Sequence, residues 1–191
     1  MLKLKLNTCA FVLKITEHKD FKQYMLDYIM KQPTTPMFEL EDNISNTDWQ
    51  NSSDNSREYV ERFKNILNPY LTEVSKELYT KTVKINNMWY QQYAKNSKHQ
   101  WHYHNKSNWS AVYFLELPNN DITTQIFDIP DDKIVYEKNI EEGDLFIFPA
   151  NLLHRSPENL TNNIKSIISF NLDFDTVDIN KPWMLISPLT I

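Results

Sequence analysis

The sequence predicts a mainly β protein of the α+β class, a roll of short strands with helices packed outside it. Three observations carry that prediction. Near Lys81 the texture changes: before it apolar residues recur at helical spacing, and after it they fall in short runs rich in Val, Ile, Tyr and Phe. Six such runs follow at close spacing, the pattern of a sandwich or barrel. A length of 191 residues, 41% of them hydrophobic and 13% aromatic, suits one domain, 1–191, with its own core.

At the start, Leu2, Leu4 and Leu6 alternate with Lys3, Lys5 and Asn7, which reads as a first strand. Lys14 follows too soon for the apolar segment of a signal peptide. Residues 19–32 space Phe21, Met25, Tyr28 and Ile29 helically. The polar stretch Asn43–Ser56 reads as a loop, with Ser52, Ser53 or Asp54 available to cap the next helix. From Glu58 a stripe runs through Val60, Phe63, Leu67, Leu71, Val74 and Leu78, and Pro69 should break or kink it. The strand runs are 82–93, 109–117, 124–129, 133–140, 144–150 and 165–174. The expectation is six to eight strands within an 82–175 core, an N-terminal layer over 1–81 and a tail over 176–191. Gly143 is the single glycine, so turns needing positive φ should fall to Asn or Asp, as in NISN (43–46) and the Asn pairs at 86–87, 119–120 and 162–163.

A net charge of −5 with no basic block excludes bulk attraction to nucleic acid or anionic lipid. No apolar run reaches the roughly 18 residues of a membrane helix, so a cytoplasmic protein is expected. Cys9 is the single cysteine, cannot form an internal disulfide, and reads as a small buried apolar residue. Composition leaves a homo-oligomer open.

The histidines carry the chemistry. In WHYHN (101–105), His102 and His104 are two residues apart; on a strand they share a face about 6–7 Å apart. His154 ends the run GDLFIFPANLLH (143–154). Imidazole suits iron, zinc, copper and nickel, and a facial set with open positions is the arrangement of non-haem Fe(II) oxygenases. An HxH pair alone is more often inert surface or core; the third histidine at a strand end tips the reading to a metal site on His102, His104 and His154. His18 and His99 should lie outside it.

Five blocks in order extend this reading: Trp89 with Tyr93, WHYH (101–104), SAVYFL (110–115), GDLFIFPANLLHRSPEN (143–159) and KSIISFN (165–171). Over about residues 83–174 they resemble the 2-oxoglutarate- and Fe(II)-dependent oxygenases, particularly the short bacterial and phage branch related to prolyl hydroxylases. The resemblance implies a double-stranded β-helix (jelly roll, cupin-like) and a hydroxylase using Fe(II) with 2-oxoglutarate as a small-molecule cosubstrate. Its prime substrate is left unidentified. His102 and His154 match the metal histidines. His104 stands where the superfamily most often has a carboxylate, which implies a three-histidine site or one where water replaces a ligand. Lys165 stands where an arginine usually meets the distal carboxylate of 2-oxoglutarate, with Ser169 four positions on; lysine keeps the charge and gives up the fork. Alternation puts Lys165, Ile167, Ser169 and Asn171 on one face. Tyr93 matches a pocket tyrosine, with Gln91 on its face. Phe114 replaces a second pocket tyrosine, Tyr113 is core or pocket, and Arg155 is rim or substrate contact. No side chain need act as acid or base. Two rivals remain: a cupin-type metalloenzyme not using 2-oxoglutarate, which would not need Lys165, and a non-catalytic β-helix interaction domain, which would bind no metal.

Overall fold

The structure, a computed structural model, describes residues 8–39, 41–135 and 139–177. The expected strand over Leu2–Leu6 and the tail beyond residue 177 lie outside the described residues. In chain order the elements are β1 (Phe11–Lys14), α1 (His18–Met30), β2 (Asn46–Thr47), α2 (Glu58–Glu77), β3 (Thr80–Tyr93), β4 (His99–His102), β5 (Trp109–Glu116), β6 (Gln125–Asp128), β7 (Lys133–Val135), β8 (Asp144–Pro149), β9 (His154–Ser156) and β10 (Lys165–Val177). They form a six-stranded sheet of order β1-β8-β5-β10-β3-β2 and a four-stranded sheet of order β4-β9-β6-β7. All pairings within both sheets are antiparallel. From β3 onward the chain passes repeatedly between the two sheets, which makes a two-sheet jelly roll.

Alternation along β10 explains the layering. Ile168, Phe170 and Leu172 point outward to a core shared with Phe21 and Met25 of α1 and Phe63, Leu67 and Leu71 of α2. Residue Ile167 points inward with Tyr93, Val112, Phe114, Phe146 and Phe148, and Ile126 and Leu152 pack against that cluster from the other side. A sheet buried on both faces needs no polar alternation, which is why β5 and β8 read as continuous apolar runs.

The structure corrects several sequence expectations. Helix α2 is unbroken through Pro69. Pro69 and Asn65, whose carbonyl loses its helical partner, are both exposed rather than buried, and the buried stripe holds the helix to the sheet. No side chain caps α2 at Arg57; Asp54 instead closes a turn, accepting from Ser56 N at 3.0 Å and Ser56 Oγ at 2.6 Å. The stretch 43–56 is not only loop, because β2 adds to the edge of β3. Asp48 in that stretch is buried, accepting from Tyr59 OH at 2.8 Å and Tyr90 N at 2.8 Å and pairing with Arg57. Among the described residues, positive φ falls at Tyr79, Asn96, Asp132 and Gly143, and not in any of the four expected stretches. Cys9 is exposed, because it precedes the first paired residue of β1. No described helix is long and apolar enough to cross a membrane.

Candidate metal centre

Cross-strand register builds the site. His102, the last residue of β4, and His154, the first of β9, are direct partners in the ladder. Side chains opposite each other on one face come close, and the two ring centroids are 4.2 Å apart. His104 lies two residues past the end of β4, anchored by its backbone N donating to Ala150 O at 2.8 Å. Its ring is 5.3 Å from that of His102 and 5.2 Å from that of His154. One ligand atom of each imidazole lies within 4.8 Å of the others. The two histidines of WHYH therefore converge through different supports, one by strand pairing and one by a loop contact, rather than as one strand face.

Two of the rings have fixed tautomers. His102 Nδ1 lies 2.7 Å from Gln100 O, and His154 Nδ1 lies 2.8 Å from Leu152 O. A carbonyl oxygen only accepts, so each Nδ1 carries the hydrogen and each Nε2 keeps its lone pair. Burial, aided by repulsion from His102, pushes His154 down to about 3 and His104 down to about 4. Burial also lowers His102, against the bond from Gln100 O. At neutral pH these are uncharged imidazoles, the form that ligates a metal.

His99, expected outside the site, lies at its wall. Its ring stacks on His102 with centroids 3.9 Å apart, and Nε2 sits 3.5 Å from Asp42 Oδ2. The β4–β9 pairing slips between His99 and His102, so residues three apart come to one side, which simple alternation does not foresee. His18 lies elsewhere, 2.6 Å from Tyr113 OH and 3.2 Å from Glu142 Oε1.

The cavity beside the histidines is lined by Gln91, Tyr93, Ser156, Ser169 and Asn171 among others, and leaves about 30 Å³, the room of one ion or water. Gln91 Oε1 accepts from Tyr93 OH at 3.2 Å and Ser169 Oγ at 3.4 Å. Lys165 stands behind this lining, paired in register with Tyr93. It is fully buried, and Nζ donates to Ile122 O at 2.5 Å and Ser156 Oγ at 2.8 Å. The same Nζ lies 5.2 Å from the Tyr93 ring centroid. With burial alone acting on it and no neighbouring carboxylate to offset that burial, the ammonium is pushed down to about 7.

Ser156 was not foreseen, although its place two residues after His154 on a strand is a legible signal. Tyr113 is core, in the cluster under α1 and α2, and Phe114 faces inward with its ring centroid 6.0 Å from Lys165 Nζ. Arg155 lines the cavity, donating from Nε to Gln125 Oε1 at 2.9 Å with its guanidinium 4.5 Å from the Trp101 ring centroid.

No protein-family profile matches this sequence, and no curated protein does. Solved structures do. The viral collagen prolyl hydroxylase of Paramecium Bursaria Chlorella virus-1, in its 2OG complex, is 10% identical with a TM-score of 0.55, over 85% of this chain and 94% of that one. The non-heme alpha ketoglutarate dependent epimerase SnoN from nogalamycin biosynthesis is 10% identical with a TM-score of 0.67, over 96% and 88%. HygX from Streptomyces hygroscopicus, with nickel and 2-oxoglutarate bound, is 10% identical with a TM-score of 0.62, over 86% and 82%. The chain has the double-stranded β-helix fold of these 2-oxoglutarate-dependent enzymes.

Proposed function

We propose that this chain is an Fe(II)- and 2-oxoglutarate-dependent oxygenase that hydroxylates a small organic substrate. The observation that carries the reading is the pairing of two unusual features in one barrel. Three neutral imidazoles converge with their ligand atoms within 4.8 Å of one another, and behind the lining of their cavity stands a fully buried lysine with no carboxylate partner among the described residues. A buried cation of this kind is costly unless an anion arrives to pair with it. The donor set fits the metal: His102 and His154 present Nε2 lone pairs whose direction is fixed by backbone carbonyls.

Bound together, Fe(II) and 2-oxoglutarate supply oxidation by O₂ coupled to loss of CO₂ from the cosubstrate. The chain's part is to hold and orient. His102, His104 and His154 would hold the ion through one ring nitrogen each. Lys165, with Ser156 and Tyr93 around it, receives the distal carboxylate, and Ser169 and Gln91 line the path to it. Lys165 also separates this reading from a cupin of other chemistry, which has no use for a buried cation.

The test is anaerobic loading with Fe(II), addition of 2-oxoglutarate, admission of O₂, and measurement of succinate. Wild type should release succinate, His154→Ala should release none, and Lys165→Ala should show a raised KM for 2-oxoglutarate with iron still bound. An unchanged KM in Lys165→Ala removes the cosubstrate role from that residue. Absence of succinate from iron-loaded wild type removes the oxygenase reading.

A further inference from the structure

A second cavity opens beside the metal centre and shares His104 and Asn171 with it. It is a groove of about 520 Å³ between the turn around Trp49–Ser53, the start of the inward face of β3, and the loop Tyr103–Ser107. That volume falls within the range of small-molecule sites.

The lining is unusual in its neutrality. Among the described residues no acidic side chain borders the groove, and Lys106 is its one cation. A phosphate or a polycarboxylate would find no clamp of opposite charge there. The groove instead presents Ser52, Ser53, Asn86, Asn87, Asn105 and Ser107, whose amides and hydroxyls both donate and accept. Two aromatic rings stand open at its edges, Trp49 at 41% exposure and Tyr103 at 62%. Trp49 is set in place by packing at right angles against Trp89, with centroids 4.4 Å apart and planes at 77°.

Part of this lining is held rigidly and part of it lacks partners. Asn86 Nδ2 donates to Ser107 Oγ at 2.9 Å and to Asp173 Oδ2 at 2.7 Å, locking the loop against β3. Asn87 Oδ1 in the groove and Trp89 Nε1 at the metal cavity are buried without hydrogen-bond partners. They sit two positions apart on β3, one an acceptor and one a donor, where the groove runs into the metal cavity.

We propose that this groove is the prime-substrate site and takes a neutral polyhydroxylated ring, a glycoside in chemical class. Such a ring has an apolar C–H face to lay on Trp49 and Tyr103 and a rim of hydroxyls for the amides and serines, and its inner edge is delivered toward His104. The word substrate rests on the oxygenase reading; the ligand class rests on the groove alone. A proline-rich peptide would call for a groove walled chiefly by aromatic rings, whereas here seven amide and hydroxyl side chains, Asn171 included, stand against the two exposed rings.

Saturation-transfer NMR on the full chain with Zn(II), which is diamagnetic, tests this without turnover. The probes are methyl glucopyranoside, methyl galactopyranoside, maltose, a Pro-Pro-Gly peptide and uridine monophosphate. At least one glycoside should show ring-proton saturation. Its affinity should fall about tenfold in Tyr103→Ala, the loss of one stacking contact, and fall in Trp49→Ala as well. Glu73→Ala, on the exposed face of α2, should leave the glycoside signal intact. Because Tyr103 is mostly exposed, its removal does not threaten the fold. The proposal is overturned by peptide or nucleotide saturation without glycoside saturation, by no signal from any probe, or by a glycoside signal that survives both aromatic substitutions. Succinate release without glycoside binding overturns the ligand class only. Glycoside binding in a chain that releases no succinate keeps the groove's ligand and overturns the oxygenase reading.

Discussion

Lys165 places an ammonium group near the rings of Tyr93 and Phe114, with a backbone carbonyl and a serine hydroxyl as its hydrogen-bond acceptors among the described residues. Burial lowers it to about 7, so near pH 7 the free site is a mixture of ammonium and amine. A carboxylate binds only the ammonium. Below pH 7 the charge is already present and affinity should be flat; above pH 7 binding must draw a proton from solution, and affinity should fall about tenfold per pH unit. Calorimetry of 2-oxoglutarate binding to the metal-loaded chain at pH 8, in two buffers of different ionisation enthalpy, should therefore report uptake of nearly one proton. Lys165→Arg should report none, because guanidinium does not lose its charge in this range. If wild type takes up no proton at pH 8, Lys165 is not the anchor or is not desolvated as the structure has it. The sequence showed Lys165, Ser169, Tyr93 and Gln91 because strand alternation and a motif place them together. It hid His99, which reaches the site through a slip in the ladder, whereas Ser156, two residues after His154 on a short strand, was legible and went unread.

At the scale of elements, the turn before β8 holds three strands together through one residue. Gly143 N donates to Phe114 O at 2.8 Å, and Gly143 O accepts from Ile15 N at 3.0 Å. Its φ is +89°, which a side chain disfavours, and a Cβ added there would stand 2.8 Å from His18 Cγ. Gly143→Ala should therefore destabilise the chain by about 1–3 kcal/mol, read from the shift of a urea unfolding curve. The same substitution made in a His18→Ala background should cost less, since the collision is gone and only the backbone strain remains. Equal costs in both backgrounds would mean that His18 does not crowd this turn. The single glycine of the sequence was a visible signal, whereas its neighbour was not, because His18 is distant in sequence and only the packing of α1 on the sheet brings it there. Asp48 is hidden in the same way: it sits in a polar stretch that reads as loop, and its partners Arg57, Tyr59 and Tyr90 come from α2 and β3.

For the whole molecule, the β layer was legible because strand runs alternate or are wholly apolar according to whether one face or both are buried. The assignment of strands to two sheets was not legible, since every run is antiparallel and nothing in its residues says which neighbour it takes. That assignment is what brings β4 and β9 together in the small sheet and closes the metal site against the large one. Metal binding should therefore stabilise the fold as a unit, because the unfolded chain cannot assemble the three imidazoles. Nickel at one hundred times its dissociation constant adds about 2.7 kcal/mol. For a chain of this length that corresponds to a rise in Tm of roughly 5–10 °C. The pH dependence follows from the depressed histidines. Below pH 6.5 the unfolded chain takes up protons that the folded site refuses, so the stability of the metal-free chain is lost progressively as pH falls from 6.5 toward the folded values of about 4 and 3. Within the folded state, His104 and His154 do not take up protons in competition with the metal until the pH approaches 4, and His102 does so only below its ordinary range. Thermal denaturation across pH 4–7.5 should thus show a falling Tm for the metal-free chain and a nickel increment that persists at pH 5.5. That increment should vanish in His102→Ala, His104→Ala and His154→Ala and survive in His18→Ala. An increment already gone at pH 6 would show that the imidazoles titrate as solvent-exposed groups and do not form the buried, neutral cluster. An increment unchanged in His104→Ala would move the third ligand elsewhere.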